Sequence, residues 1–150
     1  MVEESHTGDR SIGKRIHMLD RWMRIYLGEE LGELGIGPGQ FPFLMTLYRG
    51  DGRTQEGLTR VVNVDKATTT RALKKLAKEG YVKKERDPDD KRAYRVYLTD
   101  KARKIRPKLR STLRKWTHLL TQDLSKEEEE TLRKLLDKMV VNAPRKGDVE

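Results

Sequence analysis

A mainly α-helical fold with one small β-hairpin is what this 150-residue sequence predicts, and three observations carry that expectation. Apolar residues recur at three- and four-residue steps through the first and last thirds of the chain, the period of amphipathic helices. Capping residues and chain breakers fall where such helices would start and stop. In the middle, YVKKER (81–86) and KRAYRVYL (91–98) alternate in polarity and favour strands, and DPDD between them supplies a turn.

Taken in order, Ile12, Ile16, Leu19, Met23, Leu27 and Leu31 line one side of a long first helix over 11–31. LGIGPGQ (34–40) interrupts the pattern with glycines and a proline. A second helix follows with Phe41, Leu44, Leu47 and Tyr48 inward, and Pro42 is tolerated because first-turn residues need no intrahelical N–H bond. RGDGR (49–53) reads as a turn. Thr54 is placed to cap a short helix containing Leu58, Val61 and Val62, and Asn63 suits the left-handed residue of a tight turn. The next helix begins near Asp65 and stops at Gly80. After the hairpin, Thr99 caps a long helix with Ile105, Leu109, Leu113, Trp116 and Leu120, in which Pro107 should introduce a kink. SKEE (125–128) is a capping box, with Ser125 as cap and Glu128 at the third helical position. It opens a last helix containing Leu132, Leu135, Leu136, Met139 and Val140. Segments 1–10 and 143–150 read as flexible tails.

Charge is segregated. Net charge is +9, yet residues 60–110 hold 18 Lys and Arg against 7 Asp and Glu, while the remainder is slightly acidic. A basic segment between near-neutral flanks points to a polyanionic partner, with nucleic acid ahead of an anionic membrane surface. The sequence has no cysteine, which excludes disulfides and thiolate chemistry. His6, His17 and His118 are scattered without ligand spacing, so no metal site is expected. No phosphate loop, nucleophile elbow or paired catalytic carboxylate stands out, which argues against an enzyme. No stretch approaches the roughly 20 apolar residues of a membrane span, and the start MVEESHTGDRSIGKR has no apolar signal region. A cytoplasmic protein is expected.

The helix DKATTTRALKKLAKEG (65–80) explains where the charge is aimed. Thr69, Ala72, Leu73 and Leu76 follow the i, i+3, i+4, i+7 pattern of a buried stripe. The opposite face gathers Ala67, Thr70, Arg71, Lys74 and Lys78, flanked by Thr68 and Lys75, with Lys66 at the start. Short residues for close approach, an arginine for guanine and lysines for phosphates are what a major-groove helix needs. A solvated basic face would share this composition; the adjacent hairpin and the segregated charge weigh against it.

From TQEGLTRVVNVDKATTTRALKKLAKEGYVKKERDPDDKRAYRVYLTDKA (54–102) the chain resembles the DNA-binding lobe of MarR-type transcriptional regulators. The most specific match is Asp90-x-Arg92, five residues, then Leu98-Thr99, preceded by GYVKKERDPDD; the pattern extends over about 11–142. Gly57 departs from a usually acidic position, and Ala102 from a common glycine. The resemblance implies a winged helix-turn-helix head over 37–99 and a helical dimerisation region from 11–36 and 100–142. It implies an obligate homodimer on double-stranded DNA, with no membrane partner. Asp90 would orient a neighbouring arginine, Arg92 would reach from the wing tip into the minor groove with Arg86 nearby, and Asp87 and Asp89 would form the turn around Pro88.

Family members often hold a small aromatic acid in a crevice between head and dimerisation region, which would make such an acid an effector here, with no other cofactor. Trp22, Tyr26, Phe41, Phe43, Tyr48 and Trp116 fall near that junction, and Arg15, His17 or Arg24 could meet a carboxylate. Arg15, Trp22, Tyr26 and Phe43 are the ligand candidates; plain core or interface aromatics are the alternative. The function expected is a sequence-specific regulator, a repressor, on a pseudo-palindromic site. A non-specific DNA-coating protein and a winged-helix module that docks on protein are the rivals.

Overall fold

The structure, a computed structural model, describes residues 10–144. The expected tails, 1–10 and 143–150, fall almost wholly outside the described residues. Six α-helices and three short strands follow one another: α1 (Ile12–Leu31), α2 (Phe41–Arg49), β1 (Arg53–Thr54), α3 (Gln55–Val62), α4 (Lys66–Lys78), β2 (Val82–Arg86), β3 (Tyr94–Leu98), α5 (Asp100–Thr121) and α6 (Lys126–Asn142).

The helices start where side chains satisfy their orphan amides. Thr54 accepts the Gly57 N–H at 3.0 Å, Asp65 the Thr68 N–H at 2.6 Å and Thr99 the Ala102 N–H at 3.3 Å. Ser125 and Glu128 exchange bonds of 3.1 and 2.9 Å, the reciprocal capping box. Asn63 ends α3 in the left-handed region at φ 60°. Pro107 lies inside α5, which continues through it from Asp100 to Thr121.

The sheet differs from the expected hairpin. RGDGR is not wholly a turn: Arg53 and Thr54 form β1, paired antiparallel with Val96 and Arg95. The strand order is β1-β3-β2, with β2 and β3 in register from Val82↔Leu98 to Arg86↔Tyr94. A strand of two residues has no periodicity to detect. Its existence depends on the partner that β3 provides.

One core runs through the chain. Leu27, Leu31 and Ile36 join Phe43, Leu44 and Leu47 of α2, Leu58 of α3, Leu73 and Leu76 of α4, Tyr81, Val96 of β3, and Ala102 and Leu109 of α5. It crosses both boundaries expected between head and dimerisation region. Two tyrosines pin the crossing: Tyr48 donates to the Ala102 carbonyl at 2.5 Å, and Tyr81 donates to the Leu34 carbonyl. Burial pushes the Tyr48 hydroxyl up to about 12, so it remains a neutral donor.

Beyond this core the apolar stripes lie open. Ile12, Ile16, Leu19, Trp22 and Ile25 of α1 are exposed, as are Leu119 and Leu120 at the end of α5. α6 buries none of its residues, although Leu132, Leu135, Leu136 and Met139 form a continuous side. Only the second half of α1 is spent on the head.

Candidate nucleic-acid interface

α3, the Asn63 turn and α4 form a helix-turn-helix. It is locked from inside by Leu58 and Leu73 and by a hydroxyl pair, Thr59 Oγ1 donating to Thr69 Oγ1 at 2.8 Å. The buried residues of α4 are Thr69, Ala72, Leu73 and Leu76, the stripe that its sequence period defines. That leaves Lys66, Ala67, Thr70, Arg71, Lys74 and Lys75 exposed on the outer side, with Thr68 at its margin. Arg71 is not a loose cation: its Nη2 donates to Thr68 Oγ1 at 3.2 Å, one turn back. Asp65 caps the helix and leaves the next turns positive.

The β2–β3 hairpin forms the second part. Arg86 lies over the Tyr94 ring at 5.8 Å, across the pair that register places opposite. The loop 87–93 is tied at both levels. The Asp87 N–H donates to the Ala93 carbonyl and the Ala93 N–H to the Asp90 carbonyl, each at 3.0 Å. Arg92 stands exposed at this tip.

The acidic residues do not divide their work as the resemblance implied. Among the described residues Asp90 makes no pair with a guanidinium; its Oδ1 accepts the backbone N–H of Arg92 at 3.0 Å. It shapes the turn that carries Arg92. The carboxylate that holds an arginine is Asp87, expected only as a turn former: Oδ1 accepts the Asp89 N–H at 2.9 Å, and Oδ2 accepts Arg95 Nε at 3.1 Å. Asp87 is buried and Asp90 exposed.

The hydrogen bond from the Asp89 amide, opposed by burial and aided by Arg95, holds the Asp87 carboxyl below its ordinary 3.8. A carboxyl depressed on folding contributes stability above its unfolded value and loses it as pH falls through its folded value. The wing should therefore stay ordered through neutral and mildly acidic pH and loosen only below 3.8. A carboxyl-detected NMR titration checks this; a midpoint for Asp87 at or above that of a free aspartate would refute the arrangement.

Between helix-turn-helix and wing lies a cleft of about 770 Å³, lined by Thr54, Gln55, Thr59, Lys66, Asp90 and Arg92 among others. The structure thus brings Lys66, Asp90 and Arg92 together, while Arg71, Lys74 and Lys75 continue the same basic side along α4. Nothing in the sequence pattern singles out Gln55. Its Nε2 donates to Thr70 Oγ1 at 2.9 Å, bridging the start of α3 to the outer face of α4.

The ligand candidates separate. Phe43 is 1% exposed within the core, so no ligand reaches it without repacking. That assignment is corrected: Phe43 is a core residue. Trp22 is 58% exposed on the open side of α1. Arg15 donates to the Ser11 carbonyl at 2.9 Å; eleven helical residues, roughly 16 Å, separate it from Tyr26, too far to share one small acid within a protomer. Tyr26 instead packs on Trp116 with centroids 5.2 Å apart. It borders a groove of about 460 Å³ whose cations, Arg114 and Lys115, come from α5, as does His118 beside them. Among the described residues no helix is long and apolar enough to cross a membrane.

Helix, tight turn, basic helix and hairpin, in this order and packing, define a winged helix-turn-helix protein. The MarR family profile matches residues 34–93. The HTH-type transcriptional regulator YybA of Bacillus subtilis is 32% identical over 136 residues, 91% of this chain and 88% of that protein. A MarR transcriptional regulator from Methanosarcina mazei superposes with a TM-score of 0.85 at 43% identity, over 87% of this chain and 94% of that one. A mutant MarR from Escherichia coli complexed with operator DNA superposes with a TM-score of 0.77 at 31% identity, over 85% and 92%. The chain belongs to the MarR family of transcriptional regulators, and it is not an enzyme.

Proposed function

We propose that the protein binds a pseudo-palindromic duplex site as a homodimer and acts, in the cytoplasm, as a repressor of the promoter that overlaps the site. The observation that carries this reading is the cleft that joins α3, the start of α4 and the wing, with cations on both walls. α4 would enter the major groove, with Arg71 on a guanine edge and Lys74 and Lys75 toward phosphates. Arg92 would enter the adjacent minor groove, whose negative potential rewards a guanidinium. Two heads related by a twofold axis would read half-sites about one helical turn, roughly 10 base pairs, apart.

The open apolar sides of α1, α5 and α6 support the homodimer. A free 17-residue helix is marginal in water, and α6 finds no cover among the described residues of its own chain. The likeness to a MarR–operator complex supports the DNA partner. For the effector, the Tyr26–Trp116 stack beside Arg114 and Lys115 offers an apolar wall and a cationic rim to an aromatic acid, which would release the protein from DNA.

Selection of bound sequences from a random duplex pool tests the reading. An enriched palindrome upholds it; retention without enrichment means non-specific coating, and no retention means a protein-docking module. On the selected duplex, Arg92→Ala should lower affinity about tenfold while thermal stability stays within a degree or two, since an exposed tip buries little. Asp90→Ala should also weaken binding, because the Arg92 backbone loses its tether and must be ordered on docking. Simple electrostatics predicts the opposite sign for losing an acid near phosphates, and exposed Asp89, mutated to Ala, is the control. Equal or tighter binding by Asp90→Ala would remove Asp90 from the wing's function.

A further inference from the structure

Arg95 lies near the loop end of β3 and holds two parts of the fold together. Its Nε donates to Asp87 Oδ2 at 3.1 Å, and its Nη1 donates to the Gly52 carbonyl at 2.7 Å. The first bond reaches the root of the wing loop, whose opposite carboxylate oxygen already holds the Asp89 amide. The second reaches the turn between α2 and β1. That turn has a fixed shape: Gly52 sits at φ 72°, its N–H donates to the Val96 carbonyl at 3.1 Å, and a Cβ there would come within 2.9 Å of the Tyr97 ring. Only glycine presents the carbonyl in this way without strain.

The neighbouring residue completes the line. Asp51 Oδ1 accepts the Leu98 N–H at 2.8 Å, where β1 has already ended, and Oδ2 accepts Arg103 Nη2 at 2.9 Å. Arg103 belongs to the first turn of α5. Continuous charge-assisted bonds therefore run from the wing root, through Arg95 and the Gly52 turn, to the helix that leaves the head.

We propose that Arg95 is a positioning residue for the wing, one clamp in a bracket whose other clamp is the Asp51–Arg103 pair, so that wing orientation follows the α2–β1 turn and α5. The inference rests on the reading of the hairpin as a DNA-contacting wing. A guanidinium is required, because its rigid fork spans two acceptors that a lysine ammonium serves less well. The same argument names the part of DNA recognition that Arg95 controls. The wing reaches a groove whose width depends on sequence, so its orientation sets preference outside the bases that α4 reads.

The full-length protein tests this in two ways. In the free protein, NMR hydrogen exchange is read at the Asp87 and Asp89 amides; about tenfold faster exchange is expected in Arg95→Met, with an intermediate effect in Arg95→Lys and in Asp51→Asn. The Asn keeps an acceptor for Leu98 and loses only the ion pair. On DNA, two duplexes share the selected half-sites and differ only in an A-tract or G·C segment under the wing. The parent should prefer the A-tract, and Arg95→Met should lose about tenfold in affinity on it and little on the other. Should Arg95→Met fail to fold, Arg95→Lys gives the same two readouts. Unchanged exchange, or an equal loss on both duplexes, overturns the positioning role and leaves Arg95 a plain structural ion pair. In the double variant Arg95→Met/Asp51→Asn, exchange no faster than in Arg95→Met alone means one bracket in series; multiplied effects overturn the link to α5. If the parent binds neither duplex, the wing reading fails, while the exchange data still decide the bracket.

Discussion

Leu135→Asp should halve the mass of the protein in solution, from twice 17.5 kDa to 17.5 kDa, and abolish operator binding at concentrations that saturate the parent. Leu135 sits on the exposed apolar side of α6 with Leu132, Leu136 and Met139. In a twofold assembly the same surface appears on both protomers, so one substitution introduces two charges. Each buried, unpaired carboxylate costs several kcal/mol, and the dimer constant should weaken on the order of 10³-fold. Loss of the dimer then removes the second half-site, and with it the avidity that joins two heads on one duplex. Lys134→Asp, on the opposite side of the helix wheel, controls for charge and helix propensity and should leave mass and binding near those of the parent. Sedimentation or light scattering across micromolar concentrations reads the outcome. A parent that runs as a monomer, or a Leu135→Asp variant that stays dimeric, would sink the assembly.

Arg71→Ala should cost about 1–3 kcal/mol on the selected site, on the order of 10- to 100-fold, and relax preference at one position in each half-site. Arg71 is exposed on α4 and held toward Thr68, so it would meet a base edge with part of its freedom already lost. Lys74→Ala should differ in kind. It should weaken specific and random duplexes alike and reduce the slope of log affinity against log salt by roughly one. Binding measured at several salt concentrations on both duplexes separates the two. An unchanged motif in Arg71→Ala would move base recognition elsewhere on the head, with Gln55 the nearest candidate.

Much of the reading head was legible because its signals are local. The buried stripe of α4 follows from a four-residue pattern, and the caps at Thr54, Asp65, Thr99 and Ser125 each satisfy an amide three residues ahead. Asn63 needs only its own backbone to turn left. What stayed hidden depends on residues far apart in sequence. DPDD offers three carboxylates of the same chemistry, and the one that turns inward is set by Arg95 across the hairpin and by Gly52, 43 residues away. β1 exists because β3 offers it an edge. Phe43 falls outside the inward face that the period of α2 defines, Phe41, Leu44, Leu47 and Tyr48, yet α2 buries residues on more than that face, Phe43 and Thr46 among them. Its burial is decided by tertiary packing in the shared core, which a local pattern does not carry.

α6 joins the fold without burying a residue of its own, and this ties its secondary structure to abundance. With a second copy as its cover, each dimer that dissociates returns a bare amphipathic helix to water, where 17 residues hold together poorly. Dilution should then lower helical content as well as mass, and the melting temperature should rise with protein concentration. Below the dimer constant the molecule would keep its winged head and lose its last helix. The amount of protein a cell makes would thus set how much of each chain is folded.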